Sequence, residues 1–186
     1  MKIVSQPKVK LPGLNRILEE MMQKPPANPG TRPEMPDAYG ISGSAEGLLS
    51  WEWVRQQMTQ SRNYWISSTR PNGLPHAMPV WGVWLDDQLF FGTSRKSRKA
   101  LNLAANPAVS CHTESGDEAV IIEGVVEEVA DRELFNRITA AISKKYPNMP
   151  EEAEPDPENI TYAVRARTVF AFRERDFPQS ATRWRF

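Results

Sequence analysis

The segment that most constrains this chain is His76-Ala77-Met78-Pro79-Val80-Trp81-Gly82-Val83-Trp84-Leu85, a strand-like run that is apolar on both alternating faces. Successive strand residues point to opposite sides. Met78, Val80 and Trp84 therefore share one face, and Ala77, Trp81, Val83 and Leu85 share the other. A strand with one wet face would alternate apolar with polar residues. This one needs cover on both sides, and a second copy of the chain is the economical cover for the outer face. Proline cannot donate to a sheet ladder, so at Pro79 the strand is an edge or carries a bulge. A break flanked by Val80 and Trp81 leaves free backbone groups beside large apolar side chains, a slot suited to a flat heteroaromatic ring. A bulge that merely curves the sheet would satisfy the same residues.

The neighbouring segments turn this strand into the middle of a meander. Tyr64 to Thr69 leads into Arg70-Pro71-Asn72-Gly73-Leu74-Pro75, where Asn-Gly after proline signals a turn. Asp86-Asp87 turns the chain again into Gln88 to Thr93. Val109 to Thr113 and Ala119 to Val129 form a second hairpin, and Tyr162 to Arg173 a last long strand. Helical spacing predicts one helix from Leu48 to about Arg62, with Trp51, Val54 and Met58 on one face. Others run from Ser97 to Ala105, stopped by Asn106-Pro107, and from Asp131 to Tyr146. About six strands with short helices and no βαβ alternation predict a mainly β fold: a closed or nearly closed, Greek-key-like antiparallel barrel with peripheral helices.

Residues 48–186 are expected to form that barrel domain, and residues 1–47 a proline-rich arm, since seven of the 16 prolines precede residue 40. Within the arm Leu14, Ile17, Leu18, Met21 and Met22 recur at helical spacing and predict one short helix. The arm is either a wrap around a partner subunit or a poorly ordered leader. Five acidic residues between 151 and 158 read as a solvated loop, with a lid as the sharper alternative.

Lys plus Arg and Asp plus Glu both total 23, so nothing global advertises a polyanionic partner and any anion site must be local. The six tryptophans are expected in core or interface packing rather than stacked on nucleic acid. Lone Cys111 fits a reducing compartment, and no run of signal-peptide or membrane-span length is present in the sequence. A cytoplasmic chain with no nucleic-acid or membrane partner is expected. Cys111 and His112 point to opposite faces of one strand, so no metal site is expected there. No nucleophile elbow or triad is present, and no catalytic acid or base is assigned.

The richest cluster is Thr93-Ser94-Arg95-Lys96-Ser97-Arg98-Lys99, at the junction of a strand end and a helix start. A helix N-terminus already carries partial positive charge and favours Asp or Glu. Here Ser97 is the natural N-cap, and Arg98 and Lys99 occupy the first turn. Four cations beside exposed amides repel one another unless an anion sits among them, and phosphate answers amides, dipole and side chains together. A solvated basic turn is the plain alternative. There is no Walker-type loop and no dinucleotide fingerprint.

Taken together, these residues resemble the pyridoxamine 5'-phosphate oxidase-like, flavin-binding split-barrel superfamily from about Trp51 to the C-terminus. Tyr64-Trp65-Ile66-Ser67, Gly73 to Trp81, Ser94 to Lys99 with Asn102-Leu103, and Thr182-Arg183-Trp184-Arg185-Phe186 carry the resemblance. It implies a homodimeric six-stranded split barrel with two cofactor sites at the subunit interface. The ring would lie along Met78, Pro79, Val80 and Trp81, and the phosphate would be held by Ser94, Lys96, Ser97, Arg98 and Lys99. Arg183 and Trp184 would close over the ring edge, from the same or the other subunit. The cofactor is flavin mononucleotide (FMN) or the deazaflavin coenzyme F-420, whose longer anionic tail Arg95 and Arg70 could serve. The chain lacks the vitamin B6 oxidase's closing Arg-x-Trp and Arg-Leu-x-Pro pattern, which argues against pyridoxamine phosphate as substrate. The implied activity is two-electron transfer to a small molecule. A flavin or haem carrier without turnover is the alternative, the haem form depending on His76 or His112.

Overall fold

The computed structural model describes residues 24–27, 29–150 and 153–186. The short helix expected between Leu14 and Met22 lies outside them. Helix α1, Trp51–Gln60, opens at Ser50, whose side chain accepts from the Trp53 amide, and it buries Val54 and Met58. Strands β1 (Asn63–Thr69) and β2 (Pro75–Leu85) then pair antiparallel from Thr69↔Pro75 to Asn63↔Trp81. Their turn depends on Gly73, at φ +83°, whose amide donates to the Arg70 carbonyl at 2.8 Å. Asp86 and Asp87 both adopt positive φ and link β2 to β3 (Gln88–Ser94), the conformation that a two-residue hairpin requires.

Helix α2 (Arg98–Ala105), strands β4 (Ala108–Thr113) and β5 (Glu118–Glu128), helix α3 (Arg132–Lys145) and strand β6 (Asn159–Arg173) follow. The sheet order is β3-β2-β1-β4-β5-β6, and β3 also pairs with β6 from Leu89↔Val164 to Ser94↔Asn159. That last pairing closes a six-stranded antiparallel barrel, as expected. A four-residue helix α4 (Phe177–Ser180) leads into β7 (Thr182–Arg185), an additional strand on β6. Inside the barrel Tyr64, Ile66, Leu89, Phe91, Cys111 and Ile122 form the core with α1 beneath.

One expectation needs correcting. The outer face of β2 is covered over its second half by this chain itself: Val83 packs with Phe90, Ala163, Leu134 and Ile138 under α3. The apolar stripe of α3 needs a sheet face to bury, and β2–β3–β6 supplies it. The first half of the strand remains open, with Met78 49% and Trp81 50% exposed.

Residues 29–49 fold back on their own barrel. Thr31 bridges to Arg183 of β7, and the Arg32 guanidinium donates to the carbonyls of Ser44, Glu46, Gln179 and Ala181. Four neutral acceptors on one guanidinium fix two loops and the α4–β7 link together.

Candidate functional site

The site begins where β2 and β3 separate. They pair from Leu85↔Gln88 to Gly82↔Phe91. Ahead of Gly82, β2 pairs with β1 alone, and beyond Phe91, β3 pairs with β6 alone. The two edges Met78–Trp81 and Gly92–Ser94 therefore diverge from a fork. Pro79 sits on such an edge opposite Trp65, with no register shift between β1 and β2, so the edge alternative holds and the bulge does not. Val80 points into the core at 8% exposure, so only its backbone borders the fork. Trp81 stacks on Tyr146 at 4.8 Å between centroids and 13° between planes, which leaves its other face open. Tyr146 is itself fixed by accepting from the Gly82 amide at 2.9 Å. Lys145 donates to Tyr64 Oη and the Gly82 carbonyl, both at 2.9 Å, and burial lowers its pKa to about 8.

Helix α2 starts beside the β3 edge. Ser97 Oγ accepts from the Ala100 amide at 3.1 Å and is hydrogen-bonded to Thr93 Oγ1 at 3.0 Å. Ser94 Oγ accepts from the Lys96 amide, and the Ser94 carbonyl accepts from the Ser97 amide. The four cations divide into two pairs. Arg95 is neutralised by Glu128, and Lys96 by Glu158. Arg98 and Lys99 have no carboxylate partner among the described residues.

Lys99 is the informative one. It is only 6% exposed, and its Nζ lies 5.5 Å from the centre of the Phe91 ring, on the side of buried Cys111. Burial lowers its pKa. One turn later on the same helix face, Asn102 is fully buried; its Nδ2 donates to Ser68 Oγ at 3.1 Å while its Oδ1 has no partner. Ser68 stands opposite His76 across the β1–β2 ladder, and His76 Nδ1 is also buried without a partner. The His76 pKa is lowered, first by burial and then by the charges of Arg70, Lys99 and Arg98. Arg70, Lys99 and Arg98 thus all disfavour the protonated imidazole.

The structure brings Ser94, Ser97, Arg98 and Lys99 together, with the β2 edge on the far side of the fork. It places Arg183 and Trp184 elsewhere in the subunit. Arg183 is held by Glu34 and Thr31 of the arm, and Trp184 is buried against Trp51 at 5.4 Å. Sequence reasoning assigned no site role to Ser68 or Tyr146, gave His76 a part only in the haem alternative, and quoted Asn102 without a role. The spacing of Asn102 three residues after Lys99 is the signal that could have found it, because i and i+3 share a helix face.

A cavity of about 800 Å³ adjoins the fork. Trp81, Gly92 and Thr93 border it at one end, and α3 forms one of its walls. Met149, Pro150 and residues 153–157 form another. Among the described residues no group of three His, Cys, Asp or Glu side chains could hold a metal ion, and no helix is long and apolar enough to cross a membrane.

A closed antiparallel barrel that splits at one strand pair, beside a helix start carrying uncompensated cations, defines the split-barrel class. The family model for pyridoxamine 5'-phosphate oxidase matches residues 51–172, and the chain belongs to that family. A conserved hypothetical protein from Mycobacterium tuberculosis has the same fold, at 23% identity and a TM-score of 0.61, over 73% of this chain and 91% of that one. General Stress Protein 26 from Bacillus anthracis aligns at 22% identity and a TM-score of 0.53, over 65% and 92%. A haem storage protein from Vibrio cholerae aligns at 17% identity and a TM-score of 0.54, over 65% and 90%. No curated protein matches the chain.

Proposed function

We propose that this chain is a cytoplasmic oxidoreductase that holds a flavin-type nucleotide, FMN or coenzyme F-420, at the subunit interface of a homodimer. The observation that carries the reading is Lys99, an ammonium 6% exposed with no counter-charge among the described residues. An unpaired buried charge costs about several kcal/mol. A phosphate between Lys99, Arg98 and the first-turn amides of α2 removes that cost, and the unpartnered polar atoms of Asn102 and His76 mark the same pocket. Family membership supports a flavin-type nucleotide as the carrier of that phosphate.

In this reading Ser94, Lys96 and Ser97 border the phosphate, and the Met78–Trp81 edge orients the ring with its free backbone groups. When bound, the cofactor supplies two-electron transfer to a reducible small molecule. The chain's own part is to bind, orient and exclude water. Arg183, on the outward face of β7 opposite Phe170, would complete the site from the second subunit, whereas Trp184, 3% exposed and packed on Trp51 in its own core, would only support that strand.

The rival is a carrier without turnover, binding flavin or haem. His76, whose pKa is lowered by burial and by the charges of Arg70, Lys99 and Arg98, favours the haem form because ligation needs an uncharged imidazole. Titration of the purified chain with FMN, F-420 and haemin separates these readings. One flavin-type nucleotide should bind, and Lys99→Ala or Arg98→Ala should each weaken it about ten- to a hundredfold, the loss of a charge-assisted contact of about 1.5–3 kcal/mol. A Soret band abolished by His76→Ala, with neither nucleotide bound, would replace the oxidoreductase by the haem carrier. Tight nucleotide binding indifferent to both cations would remove the phosphate assignment.

A further inference from the structure

The cavity beside the fork differs electrically from the phosphate pocket. Six charged side chains line it, Arg95, Glu128, Asp131, Arg132, Glu154 and Asp156, and every one has a partner inside the fold. Arg95 pairs with Glu128, and Arg132 meets Glu154 through two hydrogen bonds of 2.6 and 2.7 Å. Asp131 caps α3 by accepting from the Leu134 amide at 2.7 Å. Asp156 accepts from the Glu158 amide and from Asn159 Nδ2 at 2.9 and 2.8 Å. The lining hydroxyls of Thr93 and Thr139 are likewise bonded, to Ser97 Oγ and to the Phe135 carbonyl. Apart from Asn159 and Thr161, what is left for a ligand is apolar: Phe135, Ile138, Ile142 and Ile160, with Met149 and the prolines of the loop opposite.

We infer that this cavity binds an uncharged, largely apolar small molecule, one that enters at Trp81 and lies end-on to the fork. An anion would meet four carboxylates against two arginines that are already paired, whereas a neutral ligand displaces only water from apolar walls. The volume suits a drug-sized molecule. The open face of Trp81, whose back is fixed on Tyr146, is a stacking platform at the entrance and favours a flat ligand. That this molecule is the reducible substrate rests on the cofactor reading above, because the cavity ends at Trp81 and Gly92, the two edges between which the ring is proposed to lie. Binding in the cavity does not depend on that reading.

The test uses Nile red, a flat neutral dye whose emission shifts to the blue in apolar surroundings, added to the full-length chain without cofactor. Saturable binding of one dye per chain is expected. Thr139→Phe, which fills the cavity, and Ile142→Asp, which adds an unpaired charge to its wall, should each weaken it at least tenfold while far-ultraviolet circular dichroism stays unchanged. Should either variant misfold, Ala153→Phe on the opposite wall serves the same purpose. The anionic dye anilinonaphthalene sulfonate should compete at least tenfold more weakly than a neutral competitor of its size. Absence of a blue shift, indifference to the folded variants, or equal competition by the anion overturns the assignment. The Lys99→Ala and Arg98→Ala chains should bind Nile red as wild type does. If they do, and the unchanged chain binds no nucleotide, the neutral cavity stands and the substrate role falls with the cofactor reading.

Discussion

Lys99 and Lys145 both carry ammonium groups withdrawn from water, and each leaves a signature in the pH dependence of stability. Burial lowers both pKa values, that of Lys145 to about 8, whereas an unfolded lysine titrates near about 10.4. Below its folded value each group is protonated in both states, and the fold carries the full penalty. Between the two values the unfolded chain holds the extra proton, so stability rises with pH. For Lys145 that window opens at about 8 and closes near the unfolded value. Cys111 and Tyr64 act in the opposite sense, since burial raises their pKa and the unfolded thiol and phenol ionise first. The lysine is therefore read from the difference between wild type and Lys145→Met in urea denaturation from pH 7 to 10. Wild type should gain relative to the variant as pH rises, and a constant difference would mean that Lys145 titrates normally in the fold. Residue types alone motivate the phosphate proposal at Arg98 and Lys99, because cations in a first helical turn contradict intrinsic preference. They did not foretell that Arg95 and Lys96 would be neutralised, because Glu128 and Glu158 reach them only through the β3–β6 closure.

At the scale of elements, the fork between β2 and β3 depends on Gly82. A Cβ there would lie 2.6 Å from the Phe90 carbonyl oxygen and 3.2 Å from the Tyr64 ring. The same residue donates its amide to Tyr146 and offers its carbonyl to Lys145, the two groups that hold α3 against the strand. Gly82→Ala should cost about 1–3 kcal/mol, readable as a lower urea midpoint. It should also release Trp81 from Tyr146, seen as a shift in tryptophan emission. A stable variant with unaltered emission would show that the backbone there has room to move. The meander, both hairpins and the three long helices were legible because periods of two and 3.6 residues persist over each of them. β7 was not, since four residues, Thr182 to Arg185, carry no period, although the closing residues were singled out. Pro79 gave notice of an edge, but where two strands stop pairing is decided by the closure of the whole barrel. Likewise the double apolar face of β2 was legible, while the identity of its cover was not: α3 lies nearly fifty residues further along the chain.

At the scale of the whole molecule, one register row crosses the open side of the barrel: Pro79↔Trp65↔His112↔Ile121↔Phe170. Residues paired directly across strands share a face, so these five side chains project outward together. Trp65 remains 37% exposed and stacks on His112 at 12° between planes, and Trp81 stands beside Pro79 at 50% exposure. This band is the surface across which the proposed homodimer would associate. In a two-fold pairing the band meets its own copy, each residue contacting its counterpart's neighbourhood in both directions. The row continues through Phe170↔Arg183, so such a pairing carries Arg183 of one copy toward the Pro79 edge of the other. This is how the C-terminal strand, remote from the fork within one subunit, would reach the cofactor in a dimer. Light scattering should give twice the 21.1 kDa chain mass. Trp65→Asp places a charge at the centre of the band and should yield monomer at concentrations where wild type is paired. The folded Trp65→Asp monomer should also lose at least tenfold in nucleotide affinity although Arg98 and Lys99 are intact, and Arg183→Ala should lose affinity while remaining a dimer. A monomer that binds the nucleotide as tightly as wild type would show that each barrel builds its site alone, and would leave Arg183 to its contacts with Glu34 and Thr31.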